Sequence, residues 1–317
     1  MDCCLVSIAC ESSLLLANNC LIDSLLWLLN GHTMNYPMRI LFRAMFMAPI
    51  NGGLADTSAL AFAAHEKQIE AMKLLIENGA DVSTSRPMSH AAMVGSVEAM
   101  KLLLDAKADV DVIKYDHTKM TPLIRCAALG HNDAIQFLID AKASLEARDH
   151  KNRTALLFAA EKNETNAMKV LIAAKADVHV VNNHFKKRQR PLFFAVENNN
   201  LVAVQMLLDA RAQVDARLSD GDTALSLAAK KGNIELLKIL IVGKADVDLP
   251  NDAGQTPLMI AVAAGHSSSV TAILEEASSQ RVADKKEQVA ETTAVNRGAF
   301  SSFLASSIKK MSIDAQK

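Results

Sequence analysis

The chain has 317 residues, of which 50% are hydrophobic and 22% are charged, so it contains enough apolar material for a folded core. Its formal net charge is −1, which excludes a global field for nucleic acid or acidic membranes and leaves only local electrostatic recognition. Aromatic residues make up 4%, which is low for a β-sandwich, a β-barrel or a cofactor enzyme built on ring stacking.

The first segment, residues 1–57, is apolar but interrupted by acidic residues, so no stretch of it is long enough for a membrane span. It also lacks the basic flank of a secretory signal. The spacing of its four cysteines does not suggest zinc, and the odd total of five favours free thiols in a reducing compartment, although Cys3 and Cys4 are alternative sites of S-acylation. We expect a helical cap or a degenerate repeat here, in a cytoplasmic protein.

A pattern recurs along residues 58–277. In five units a Thr or Ser precedes a short apolar helix, which contains a pair of small residues, and a turn leads to a second helix that ends in paired aliphatic residues. A small-acidic-aliphatic tag follows, as in Ala80-Asp81-Val82 and Ala245-Asp246-Val247. The units begin near residues 58, 86, 121, 154, 190, 223 and 256, so the period is about 33 residues.

The segments Thr121-Pro122-Leu123 and Thr256-Pro257-Leu258 open two of these units. The pattern resembles the ankyrin repeat, whose signature is T-P-L-H-x-A. The resemblance implies an all-α solenoid of antiparallel helix pairs joined by hairpin loops, here called fingers. The Thr or Ser is expected to cap the first helix, the small pairs to let the helices approach closely, and the Leu pairs to fill the seam between units.

Two departures from the family pattern concern the helix ends. The signature His after Pro-Leu is missing from every unit, which predicts less rigid loops. The Gly that ends the second helix survives only as Gly79, and a non-Gly residue in a left-handed cap costs about 1 kcal/mol, partly offset by a cation at the helix end. The cations at this position are Lys107, Lys142, Lys175, Arg211 and Lys244, and nearby Asp residues compensate most of their field.

The fingers contain the strongest candidate binding residues, because partners of this family commonly dock on finger tips and on the groove of the first helices. The finger between the fourth and fifth units is lengthened, and the central fingers are basic, whereas later fingers contain Asp220, Asp222 and Asp252. We predict that the basic strip binds an acidic protein surface; the alternative is charge that only solvates the loops. Its residues are Lys114, Lys119, Arg148, Lys151, Phe185, Lys186, Lys187, Arg188 and Arg190.

A second candidate surface lies on the first helices, where His90, Arg125, Phe158 and Phe194 occupy the same position of successive units. Large side chains at an exposed groove position are typical of interface anchors, but the fingers could equally cover them. The run from Lys187 to Arg190 also fits a nuclear-import pattern. Nucleic-acid binding is disfavoured because the basic strip has little interleaved aromatic character.

The last segment, residues 278–317, is polar until an apolar set that falls on one helical face: Phe300, Phe303, Leu304, Ile308 and Met311. It predicts either a frayed helix or a docking or export segment, of the kind found in ankyrin-repeat effectors that intracellular bacteria inject into host cells. Delivery to a host cell is therefore an alternative to a resident cytoplasmic location.

No phosphate-binding loop, dinucleotide loop, nucleophile elbow or metal-ligand spacing is present in the sequence, so we expect no cofactor, no metal and no catalytic residues. The sequence predicts a non-catalytic, monomeric scaffold or adaptor that binds protein through its fingers and groove. The alternatives are a translocated bacterial effector acting on a host protein and an enzyme with a cryptic catalytic element in one flank.

Overall fold

A computed structural model of the chain describes residues 58–83, 87–113, 118–182, 188–283 and 285–286. The chain divides into two compact units, Met1–Gln213 and Val214–Lys317. Across the described ranges both units consist of helices and loops, and the one strand-like pairing is an isolated antiparallel bridge between Asn182 and Gln189. The predicted all-α class is confirmed.

The first compact unit contains five helix pairs within its described residues. In each pair we call the first helix inner and the second outer. Every inner helix packs against its own outer helix, and successive inner helices pack against each other. The helices are α1 (Ala59–His65), α2 (Ile69–Glu77), α3 (Pro87–Met93), α4 (Val97–Asp105), α5 (Pro122–Leu129), α6 (Asn132–Asp140), α7 (Ala155–Glu161), α8 (Thr165–Ala173), α9 (Pro191–Glu197) and α10 (Leu201–Asp209).

The second compact unit contains two further pairs among the residues that are described. Inner helix α11 (Ala224–Lys231) packs against outer helix α12 (Ile234–Val242) and against inner helix α13 (Pro257–Ala263). The last helix within the described residues, α14, comprises residues 268–283. In both compact units, each inner helix begins one residue after a repeat start expected from the sequence.

Five of the seven described inner helices begin where a hydroxyl side chain caps them, as the sequence predicted, whereas α9 follows Arg190, whose side chain forms no cap hydrogen bond. Each of these oxygens accepts the backbone N–H three residues later at 3.2–3.4 Å, which satisfies one donor that the helix leaves open. Helices α5, α9 and α13 also have Pro near their first position, where no N–H donor is lost. The capping residues are Ser58, Thr121, Thr154, Thr223 and Thr256.

The outer helices contribute one Leu of each predicted pair to the interior. Leu75, Leu103, Leu207 and Leu240 are buried, whereas Leu74 is exposed and Leu102, Leu208 and Ile241 are half-buried. The expectation that both members fill the seam was therefore wrong. Adjacent residues of a helix point about 100° apart, so only one of two neighbours can face the interior directly.

The cations that end the outer helices adopt the left-handed conformation expected of them. Their φ angles lie between 63° and 70°, close to the 82° of Gly79. Each lies in the backbone turn that leads from an outer helix into a finger. The residues are Lys107, Lys142, Lys175 and Arg211 in the first compact unit and Lys244 in the second.

Candidate partner-binding surface

The finger before α7 is organised by one buried carboxylate. Oδ1 of Asp149 accepts the backbone N–H groups of Lys151 and Arg153 at 2.9 and 2.8 Å. Its Oδ2 accepts Nε and Nη2 of Arg153 at 3.1 and 2.8 Å, and the Asp149 side chain has no solvent exposure. One carboxylate therefore satisfies four donors and fixes the finger turn.

The same arginine covers a predicted groove residue. Nη1 of Arg153 donates to Glu161 at 2.9 Å, and the guanidinium carbon lies 3.8 Å from the centroid of the Phe158 ring, in cation–π geometry. Phe158 is only 4% exposed as a result of this and its helix packing. The sequence left two possibilities for Phe158, an exposed interface anchor or a ring covered by a finger. The structure shows the covered ring.

Adjacent fingers are bonded to each other through His150. Its backbone N–H donates to the carbonyl of Thr118 at 3.0 Å, and its ring Nδ1 lies 2.9 Å from the same oxygen, a contact that requires a proton on Nδ1. The finger before α5 and the finger before α7 thus form a connected edge. The described end of the finger before α5, at Thr118, is thus held against the finger before α7.

Three of the predicted cations are exposed on this edge and on the next finger. Lys119, Arg148 and Arg188 are all solvent-exposed, and Lys119 and Arg188 lie at left-handed positions with φ of 52° and 49°. Among the residues that the structure describes, none of the three forms an ion pair. Their charge is therefore available to solvent or to a partner.

The other predicted basic residues are less accessible or lie outside the described residues. Lys151 is half-buried, and Arg190 is half-buried with its Nη1 donating to the carbonyl of His179 at 2.8 Å. Burial lowers the pKa of Arg190, and the nearby charge of Arg188 lowers it further. The predicted finger residues outside the described ranges are Lys114, Phe185, Lys186 and Lys187.

The base of the lengthened finger is described even though its centre is not. The N–H of Asn182 donates to the carbonyl of Gln189 at 2.8 Å, whereas the equivalent bond of the preceding finger joins Asp149 and Arg153 at 3.0 Å. The closing pair is thus three residues further apart than in the preceding finger. The extra length expected from the sequence is confirmed.

The other predicted groove residues differ in accessibility. His90 and Arg125 are half-buried, and the His90 ring meets the His65 ring edge-on with centroids 5.9 Å apart. Phe194 is 8% exposed. Of the four positions, the two polar ones offer side-chain surface and the two aromatic ones offer little.

Acidic residues after the outer helices have a role that sequence reasoning missed. In the tags, Asp81, Asp109, Asp177 and Asp246 each accept the N–H two residues later, at 2.7–3.0 Å. A second acid accepts the N–H of the next repeat: Asp111 from Ser144, Glu146 from Asp177, and Asp215 from Asp246, at 2.8–3.1 Å. The signal available in the sequence was an acid that recurs directly after the three residues at the tag position, as in Asp111, Glu146 and Asp215.

Burial raises the pKa of Asp111 and of Asp215, because each carboxylate is partly removed from water to reach the next repeat. These carboxylates therefore stabilise the contacts between successive repeats. The tag acids accept backbone hydrogen bonds and the helix-end cations lie in backbone turns, so both sets have structural roles. The exposed finger cations instead have charge that is available to solvent or to a partner.

Histidines also join successive repeats at the turns between inner and outer helices. Nε2 of His131 lies 3.0 Å from the carbonyl of Met93, and a side-chain carbon at Gly95 would come within 2.6 Å of the ring. In the second compact unit, His266 meets the carbonyl of Lys230 at 2.7 Å and lies against Gly232. These contacts link repeats at positions other than that of the missing signature His.

The fingers of the second compact unit have a different character. Asn251 Oδ1 accepts the N–H groups of Ala253 and Gln255 at 3.1 and 2.9 Å. Around this turn, Asp220 and Asp252 are exposed, and Asp222 is half-buried where it accepts Nδ2 of Asn251 at 3.0 Å. The acidic character expected of the later fingers is present in these side chains.

Two negative findings apply to residues 58–83, 87–113, 118–182, 188–283 and 285–286. No cluster of three or more His, Cys, Asp or Glu side chains there is arranged to hold a metal ion. No helix in those ranges combines the length and apolarity needed to cross a membrane. Residues 1–57, Cys3 and Cys4 included, and most of residues 278–317 lie outside these ranges, so the effector and enzyme alternatives depend largely on residues that the structure does not describe.

Stacked inner and outer helices with projecting fingers define a helical-hairpin repeat protein. A family profile of three ankyrin repeats matches residues 13–114, 60–149, 88–182, 123–217 and 192–285. The chain belongs to the ankyrin-repeat family. A comparison with curated proteins gives no match.

Among solved structures, the crystal structure of the ankyrin repeat domain of Bcl-3, described as a unique member of the IkappaB protein family, is similar to this chain. The TM-score is 0.60 and the sequence identity 27%, over 68% of this chain and 97% of that one. Because 515 solved chains match, the fold alone does not select a partner. Family and neighbour together support a protein-interaction scaffold.

Proposed function

We propose that this protein is a non-catalytic, monomeric scaffold whose basic fingers bind an acidic surface of a protein partner. The observation that supports the proposal is the exposure of Lys119, Arg148 and Arg188 beside finger backbone that is hydrogen-bonded where the structure describes it. Local positive charge on a chain of net charge −1 attracts an acidic surface without attracting polyanions in general.

The hydrogen-bonded finger before α7 favours binding without large rearrangement. Asp149 holds the turn beside Arg148, and His150 bonds it to the neighbouring finger, so little loop ordering remains to oppose association. The acidic side chains Asp220 and Asp252 would repel the same partner from the fingers of the second compact unit. Charge therefore determines which fingers a given partner meets.

A paired charge reversal tests the proposal. The finger variant replaces Arg148 and Arg188 with Glu, and the matched control replaces Lys101 and Lys169, two exposed residues of the outer helices α4 and α8, with Glu. Both variants change the net charge equally. Proximity-crosslinking pulldowns from lysate would compare the wild type with both folded variants, and sedimentation would check that all three are monomeric.

We expect at least one protein to be captured by the wild type and by the control but lost from the finger variant. Its association rate should fall as ionic strength rises, because exposed charges are screened beyond about 10 Å at 0.1 M salt. Identical capture by all three proteins would contradict the finger proposal. The half-buried His90 and Arg125 would then be the next residues to replace.

A further inference from the structure

The last inner helix differs from the earlier ones in what covers it. Two positions, the third and the sixth after a repeat start, are at most 3% exposed wherever another repeat follows in the same compact unit. In α13 the same positions hold Met259 and Val262, which are 56% and 61% exposed. The buried equivalents are Ala61, Ser89, Ile124, Leu157 and Ser226 at the third position and Ala64, Ala92, Ala127, Ala160 and Ala229 at the sixth.

The two positions lie one turn apart on the inner helix, and the backbone carbonyl of the sixth position contacts the repeat that follows. Sγ of Cys126 lies 3.4 Å from the carbonyl oxygen of Ala92, one repeat earlier, and Nδ2 of Asn198 donates to the carbonyl of Ala160 at 3.0 Å. Met259 and Val262 therefore form a surface that a further element would normally cover. We call these two residues the terminal strip.

The outer helix indicates what size of element fits. At the thirteenth position after the repeat start, α14 has an exposed Ser269. Its equivalents in earlier repeats are apolar and at most 1% exposed: Ala71, Ala99, Ala134, Ala167 and Leu236. A complete repeat, or a repeat of a second copy, would bury this hydroxyl where earlier repeats bury an apolar side chain. A single helix laid on the inner helix would not.

The chain itself contains a segment of the right chemistry. Phe300, Phe303, Leu304, Ile308 and Met311 lie at helical spacing in the sequence, outside the residues that the structure describes. Lys309 and Lys310 in the same segment are opposite in charge to Glu275 and Glu276, which are exposed on α14.

The connection is long enough for this segment to return to α13. Helix α14 is about 24 Å long, at about 1.5 Å per residue, and residues 287–299 can extend to about 45 Å. Because the segment is covalently attached, its effective concentration at the terminal strip is far higher than that of a separate chain. Intramolecular docking is therefore favoured over recruitment of a second molecule.

We propose that residues 300–311 form an amphipathic helix that packs on the terminal strip and covers the last inner helix. The proposal is independent of partner binding by the fingers, since it concerns different residues and a different compact unit. It gives the exposed Met259 and Val262 a partner from their own chain, as the terminal repeats of a stacked array require.

Hydrogen exchange of α13 in the full-length chain tests this proposal. The disrupting variant is Phe303→Asp with Leu304→Asp, and the matched control is Ser302→Asp with Ser306→Asp, which adds the same charge on the opposite face of the expected helix. We expect amides of α13 to exchange on the order of tenfold faster in the disrupting variant and at the wild-type rate in the control.

Equal exchange in all three proteins would overturn the proposal, because it would mean that residues 300–311 do not cover α13. Protection that increased with protein concentration would also overturn it, by identifying a second copy as the occupant. If instead exchange in α13 responds only to the Phe303 and Leu304 changes at every concentration, the occupant is the chain's own segment.

A disulfide-trapping experiment supplies a second measurement that does not depend on stability. In a background with Cys3, Cys4, Cys10 and Cys20 replaced by Ser, Val262→Cys would be combined with Leu304→Cys or, as control, with Ser306→Cys. The first pair should form an intramolecular disulfide much faster than the second. Equal rates, or only intermolecular bonds, would contradict the proposed packing.

Discussion

Two fingers, residues 149–153 in the first compact unit and residues 251–255 in the second, have the same backbone frame and opposite electrostatics. In both, one side-chain oxygen accepts the N–H groups two and four residues later, from Asp149 in one case and from Asn251 in the other. The closing backbone bonds are also alike, at 3.0 and 2.9 Å. The turn thus requires an acceptor but no charge.

The two fingers differ in whether the side chain that accepts the turn hydrogen bonds is charged. The carboxylate of Asp149 is buried and charged, so it needs the guanidinium of Arg153, which in turn covers Phe158. Asn251 is neutral and has Gln255 in the place of that arginine. A finger can therefore change its charge without losing its shape, which suits a scaffold whose fingers select partners.

The largest effect should come from Asp149→Ala. It removes the turn acceptor and leaves the half-buried Arg153 without its main counter-charge, so we expect the free energy of unfolding to fall by about 3 kcal/mol. Urea denaturation followed by far-UV circular dichroism measures the loss. Faster hydrogen exchange in α7 would place it in the first compact unit.

The comparison finger provides the control for that change. Asn251→Ala removes an equivalent pair of hydrogen bonds without stranding a charge, and it should cost about 1 kcal/mol. Equal losses at the two positions would mean that the ion pair of Asp149 with Arg153 contributes nothing beyond the turn itself.

A smaller effect, equal in both compact units, is expected at the helix ends. Lys175 and Lys244 have φ of 70° and 69°, so Lys→Gly at either position relieves left-handed strain of about 1 kcal/mol but removes a cation that stabilises the helix end by about 0.5 kcal/mol. We expect the free energy of unfolding, measured by thermal or urea denaturation, to rise by about 0.5 kcal/mol. The rise should be larger at high salt, because salt screens the interaction of the cation with the helix end. Gly79→Lys should have the opposite sign, and unequal gains at the two lysines would contradict a shared backbone frame.

The smallest effect on stability is expected from Cys126→Ala, because Ala228 and Ala261 occupy the same position in the second compact unit. Burial raises the pKa of Cys126 to about 12 from 9.0. The folded state thus favours the neutral thiol, so this group's contribution is fully present below pH 9.0 and is lost as the pH rises towards about 12.

Thiol alkylation and urea unfolding check this prediction. With Cys3, Cys4, Cys10 and Cys20 replaced by Ser, the native protein should resist alkylation at pH 8 and react only as it unfolds. The wild type and Cys126→Ala should differ in pH dependence only in the alkaline window. Rapid alkylation of the folded protein would show that Cys126 is accessible.

The sequence was sufficient for the features that depend on local rules. Thr121 and Thr223 cap their helices because a hydroxyl beside an open N–H suffices, and Lys142 is left-handed because its place in the repeat is that of Gly79. The period of the repeats then determined the fold, since every unit must stack on its neighbours to bury its apolar face.

The features that depend on contacts across space were not predictable in the same way. The cover of Phe158 by Arg153 requires the finger to fold back over its own inner helix, which spacing along the chain does not reveal. The tag acids, such as Asp109, were interpreted as compensating charge, and the acids that bond to the next repeat, such as Asp111 to Ser144, were not singled out. Only the three-dimensional arrangement shows that they accept backbone hydrogen bonds.

The histidine contacts at the turns have a consequence for how such an array can be rearranged. His131 requires a bare Gly95 in the preceding repeat, whereas at another junction Asn200 donates to Asn163 at 2.6 Å. A single repeat moved to another position in the array would pack its turn residue against a neighbour that lacks the matching turn residue. Recombination, whether natural or engineered, therefore preserves these junctions only when it moves consecutive repeats together. Its end points must also join repeats whose turn residues form the same kind of contact.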